Sequence, residues 1–149
     1  MEQLMTVLLI WITAHSGYSM PSTLLAVKYS TNAEMRRMHF CDGVAICDEA
    51  TLPSERDIRI NALYNHEERV MYLPKNFNKD EPLNQATLVH ELVHHLQALD
   101  GKFKAAGCIG HMEAEAYAIK DRWLVAQGLP VPEKSFARII AESCIPGPT

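Results

Sequence analysis

The apolar positions of this chain change period several times, and each change predicts a different element. In residues 4–12, LMTVLLIWI, and just beyond, Leu4, Leu8, Trp11, Ile12 and His15 recur at helical spacing. A helix ending near Gly17 is expected. The apolar run is too short to span a bilayer. Its only early charge is Glu2, where a secretory signal would carry basic residues. Residues 1–16 therefore read as a core helix, with a signal segment cleaved after Ala14-His15-Ser16 as the alternative. Residues 23–30, TLLAVKYS, read as a strand by their β-branched and aromatic content. Thr31 with Glu34 three residues on is a capping box that opens a short helix. Residues 41–57 read as loop with room for one short strand. The runs DIRINALYN (57–65) and ERVMYLP (68–74) are extended and separated by NHEE, a hairpin pattern. Pro74 closes the second run, because it has no donor for a ladder.

The strongest helical period follows. A turn-rich connection offers Asp80 or Asn84 as N-cap for a helix over 84–100, and Gly101 suits a left-handed C-terminal cap. A loop is expected to Gly110, then a helix over 111–127 closed by Gly128 and Pro130, and a short helix over 133–143. The fold class expected is α+β, a small antiparallel sheet packed on several helices. A length of 149 residues fits one domain spanning 1–149.

Composition narrows the function. Hydrophobic residues are 48% of the chain, enough for a real core and too many for a disordered one. The net charge of −4 argues against a nucleic-acid partner, and the one small basic cluster, EMRRMH, reads as a solvated helix face. The four cysteines favour Cys41–Cys47 by local spacing, leaving Cys108 to tie down Cys144; four reduced, buried thiols are the alternative. No CxxC pair suggests a cysteine zinc site. Cysteines and an apolar N-terminus suit a periplasmic or secreted chain, and a cytoplasmic one fits as well.

The chemistry concentrates in ATLVHELVHHLQALDG, residues 86–101. Leu88, Val89, Leu92, Val93, Leu96 and Leu99 share a broad apolar arc of the helix. His90 and His94 stand at its edge about 40° apart, one turn from each other. Ionisable groups bordering a core are costly unless something pairs with them. Two imidazoles projecting the same way are arranged to hold one zinc ion, and Glu91 on their flank is placed to act as general base. This is the H-E-x-x-H pattern. His95 lies about 100° further round and reads as a core-edge residue. For a third ligand the chain offers Asp100, His111, Glu113 and Glu115. Asp100 would need a glycine at Gln97 to turn the helix back, and His111 sits at a helix mouth. Glu113 and Glu115 are the better candidates, and since they lie about 200° apart only one can face the metal.

HELVH followed by EAEAYA resembles the gluzincin group of metallopeptidases, especially the small minigluzincins. The chain is also similar to short bacterial proteins with an HExxHH motif and a downstream DRWL, mainly over residues 69–124. The resemblance implies a zincin-like domain with the motif on a central helix, zinc as cofactor, and Glu113 as third ligand ahead of Ala116. Tyr117 stands where the group commonly has Asp or Asn. Its phenol would take over the orienting hydrogen bond to a zinc-bound histidine, stabilise an oxyanion, or simply pack in the core.

The function expected is hydrolysis of amide bonds in a peptide or protein substrate. His90, His94 and Glu113 would be the zinc ligands, Glu91 the base and Tyr117 an auxiliary. ERVMYLP is the expected edge strand for extended substrate. The alternative is a zinc-binding interaction module without turnover; a purely structural protein without metal is a third reading.

Overall fold

The computed structural model of the chain describes residues 1–41, 47–48, 50, 52 and 59–144. In chain order the elements are α1 (Glu2–Ala14), β1 (Ala26–Ser30), α2 (Asn32–Cys41), β2 (Leu63–Asn65), β3 (Val70–Pro74), α3 (Pro82–Leu99), α4 (Lys102–Ala105), α5 (Ile109–Ala126) and α6 (Phe136–Glu142). The fold is α+β, as the sequence predicts. Most of residues 41–57, with the short strand allowed for there, lies outside the described residues.

The sheet differs from the expectation in one respect. Its strand order is β1-β3-β2, with β2 antiparallel to β3 but β1 parallel to it. It is therefore mixed, not antiparallel. Parallel pairing needs a long crossover, and the stretch from α2 to β2 supplies it. This order also makes β3 the middle strand, flanked on both sides. ERVMYLP is thus not an edge: among the described residues the edges are β1 and the three-residue β2.

Local chemistry explains the element ends. Both halves of the capping box at α2 form: Thr31 N donates to Glu34 Oε2 (2.8 Å), and Glu34 N donates to Thr31 Oγ1 (3.2 Å). In the β2–β3 turn, Asn65 Oδ1 accepts from the backbone N–H of Glu67 and of Glu68, both at 3.0 Å. α3 begins two residues earlier than predicted, at Pro82, whose fixed φ and missing N–H suit a first helical position. Gly101 takes a left-handed φ of 74° behind it, and the short α4 follows where the sequence suggests only loop.

α3 is the hub. Leu88, Val89, Leu92, Val93 and Leu96 are buried along it, facing α1 (Met5, Leu8, Leu9, Ile12), the sheet (Met71, Leu73) and α5 (Ala116, Ile119, Trp123, Leu124). α1 is packed into this core. Among the described residues no helix is long and apolar enough to cross a membrane. The cysteines pair as the spacing favours, Cys41–Cys47 and Cys108–Cys144. The second bridge ties the start of α5 to the chain beyond α6. It sits beside Gly110, which is pressed against that same segment: a Cβ there would lie 2.8 Å from Glu142 O and closer still to Ser143 O.

Alanine normally stabilises a helix relative to glycine. At Gly110 the sign should reverse. Gly110→Ala is expected to cost about 1–3 kcal/mol in denaturant unfolding with disulfides intact. Gly107→Ala, where an added Cβ meets nothing within 4 Å, should change stability by less than about 0.5 kcal/mol.

Candidate metal centre

α3 presents His90 and His94 one turn apart on the side that meets α5, and both residues are buried, 8% and 7% exposed. Facing them, four residues into α5, is Glu113. His90 Nε2 and His94 Nε2 are 3.1 Å apart. Glu113 Oε2 lies 3.3 Å from His90 Nε2, and Oε1 lies 3.2 Å from His94 Nε2. Donor atoms each about 2.0–2.1 Å from a tetrahedral ion stand roughly 3.3–3.4 Å from one another. Each of these separations is within a few tenths of an ångström of that spacing, the carboxylate meeting each histidine with a different oxygen, and one donor atom from each of the three residues lies within 4.8 Å of the others. The donor set, two imidazoles and one carboxylate, is a common catalytic zinc set.

The surroundings of the two histidines differ. His94 Nδ1 lies 2.8 Å from Gln97 Oε1, deep in the protein. His90 Nδ1 is buried with no partner among the described residues. Its ring is held instead by packing on the Tyr117 ring, 4.4 Å between centroids. Gln97 is a residue that sequence reasoning missed: it counted only as a position that lacks glycine. The available signal was its place three residues after His94, one helical turn on.

Glu91 takes a different direction. Its Oε2 accepts the backbone N–H of Tyr64 on β2 at 2.9 Å, while Oε1 has no hydrogen-bond partner among the described residues. The carboxylate that flanks the histidines is thereby anchored to the edge strand. His95 is turned away from the cluster, buried, with Nδ1 2.9 Å from the Tyr64 hydroxyl.

The remaining candidates fall elsewhere. Glu115 points away from the histidines: it accepts from the Tyr18 hydroxyl, from Gln97 Nε2 (3.0 Å) and from Lys102 Nζ (3.3 Å). Asp100 is the exposed C-cap of α3. His111 is exposed and clusters with Cys108 and Cys144, whose sulfurs are bonded to each other. Tyr117 makes no hydrogen bond to either histidine, so the orienting role that the resemblance allows it is not seen. Its ring packs on His90 while the Arg138 guanidinium lies 4.4 Å above it. Arg138 is itself pinned by Asp121 (2.8 Å) and Glu142 (2.6 Å).

The family model described as Domain of unknown function (DUF6647) matches residues 1–146. The chain belongs to that family. No curated protein matches it, and no solved structure does.

Electrostatics at the centre favour positive charge. Burial alone would raise the Glu113 carboxyl, but hydrogen bonds from His90 and His94 hold it well below the usual carboxylate range. Burial opposes a charged His94, yet Glu113, the nearby Glu91 charge and Gln97 together raise it above its ordinary value. His95 goes the other way: burial, helped by the Arg69 charge, pushes it down to about 4.

The His95 shift has a signed consequence. The unfolded chain takes a proton at this residue below about pH 6.5, and the folded protein refuses it until about 4. Stability of the metal-free protein should therefore fall as pH drops from about 6.5 to about 4. His95→Gln should flatten that limb in urea unfolding measured across the range. The Glu113 contribution, whose folded value is depressed, is lost only below about pH 4.5. The His94 contribution, whose folded value is raised, is lost only above about pH 6.5.

Proposed function

We propose that this chain is a zinc-dependent hydrolase acting on amide bonds of peptides, with His90, His94 and Glu113 as the metal ligands and Glu91 as the general base. The observation that carries the reading is that the Nε2 atoms of two buried histidines lie 3.1 Å apart and each lies 3.2–3.3 Å from an oxygen of the half-buried Glu113 carboxylate. A zinc ion held by His90, His94 and Glu113 would supply Lewis acidity toward a carbonyl and would bring a water to near-neutral acidity. Glu91 then takes the proton from the attacking water and delivers it to the leaving amine. The Tyr64 N–H on Oε2 holds the carboxylate in place and leaves Oε1 for that proton. Tyr117 packs on His90, its hydroxyl without a hydrogen-bond partner among the described residues, and is the residue here to steady an oxyanion.

One observation favours the second reading, a zinc-binding interaction module without turnover. Glu91 is already engaged by a strand N–H, as a purely structural carboxylate would be. The two readings part at Glu91→Gln. A hydrolase loses at least about 10³-fold in turnover and keeps its zinc; a module keeps zinc and shows no activity in either form. Both require that Glu113→Ala lower zinc affinity by more than about 100-fold, as removal of a direct ligand does, and that Glu115→Ala leave zinc bound, within about tenfold. Chelator competition measures both. Loss of the ion with Glu115→Ala alone would contradict the ligand assignment.

A further inference from the structure

Gln97 is fully buried, at 0% exposure, in the middle of α3, and every polar atom of its side chain is engaged. Oε1 meets His94 Nδ1 at 2.8 Å. Nε2 meets Met112 O and Glu115 Oε1, both at 3.0 Å. The orientation of this amide is dictated by chemistry. Met112 O and the Glu115 carboxylate are acceptors only, so the NH2 group must face them. A flipped amide would place oxygen against two oxygens and nitrogen against the imidazole. With Oε1 thus turned to His94, Nδ1 of that ring must carry a proton, so Nε2, which faces Glu113 and His90, is the nitrogen left to meet an ion. Glu115 is held in its turn, by Lys102 and by the Tyr18 hydroxyl.

We propose that Gln97 is the positioning residue of the metal centre, and that Glu115 acts through it. The amide keeps the proton on His94 Nδ1 and fixes the ring angle, so that an ion displacing the proton from Nε2 meets that nitrogen without the ring having to turn. This rests on the metal reading above and extends it. It also gives separate work to the two glutamates of the Glu113-Ala114-Glu115 triplet: one contacts the ion, and the other orients the amide that orients a ligand. His90 has no such device, since its Nδ1 is unpartnered among the described residues. The two ligands are therefore predicted to differ in rigidity, with His94 the pre-set one.

The test uses the full-length protein with disulfides intact. Gln97→Met keeps the length of the side chain and removes both of its hydrogen-bonding ends. It is expected to lower zinc affinity about 10–100-fold in a chelator competition. Gln97→Glu keeps an oxygen toward His94 and, with its second oxygen protonated, a donor toward Met112 and Glu115; it should stay within about fivefold of wild type. The readout that a merely structural glutamine would not move is NMR of the zinc-loaded protein. Wild type should show a slowly exchanging His94 Nδ1–H that cross-relaxes with the Gln97 side-chain amide. In Gln97→Met that proton should exchange rapidly while the His90 signal stays in place. If wild type binds no zinc, the functional reading falls and this inference with it. If wild type binds zinc and Gln97→Met binds it equally well, only this inference is overturned. Should Gln97→Met fail to fold, the wild-type spectrum decides: no cross-relaxation between His94 Nδ1–H and Gln97 would overturn the proposal.

Discussion

Two imidazole nitrogens and a carboxylate occupy one small volume between α3 and α5, largely shielded from water. A carboxylate buried there loses hydration that only positive charge restores. The opposed shifts of His94 and Glu113, one raised and one lowered, express the same demand from two sides. In the metal-free protein a proton answers it. A divalent cation would answer it with more charge and with geometry that matches the donor spacing. The rest of the molecule can be understood as what holds those three groups together against their cost of desolvation.

That support comes in layers. α3 is the central helix, and its apolar arc is gripped by α1, the sheet and α5, so the histidines at the edge of the arc have little freedom. Glu113 depends on the register of α5 against α3. That register is set at its start by Gly110, where only hydrogen fits against the chain after α6, and by the Cys108–Cys144 bridge. Further along, Arg138 of α6 is clamped by Asp121 and Glu142 and covers Tyr117, which in turn packs on His90. On the opposite flank, β2 fixes Glu91 through one backbone N–H and His95 through the Tyr64 hydroxyl. The same short strand thus engages two residues of α3 one turn apart in different ways, Glu91 through a backbone N–H and His95 through a side-chain hydroxyl.

Much of this was legible in the sequence, for identifiable reasons. His90 and His94 are local to one helix, and a four-residue interval on an α-helix translates directly into a shared direction. The disulfide pairing followed from spacing, and the α2 cap from a two-residue pattern. Glu113 lies 19 residues beyond His94, and periodicity alone left it level with Glu115; resemblance to a zinc peptidase pattern separated them. What could not be read was anything that depends on how distant segments meet. A strand buried in the middle of a sheet and one at its edge carry the same alternation, so β3 looked like an edge. The parallel pairing of β1 arises from a crossover that no local pattern announces. Gln97 went unnoticed because its meaning comes from Met112 and Glu115, on another helix.

The central claim is that one divalent ion sits among His90, His94 and Glu113. X-ray absorption at the zinc edge, on protein purified with its metal retained, tests it most directly. The account predicts one zinc per chain, surrounded only by nitrogen and oxygen at about 2.0–2.1 Å, with the multiple-scattering pattern of two imidazoles. Protein that holds no zinc, or zinc with sulfur neighbours at about 2.3 Å, which would point to Cys108, Cys144 and His111, would contradict it.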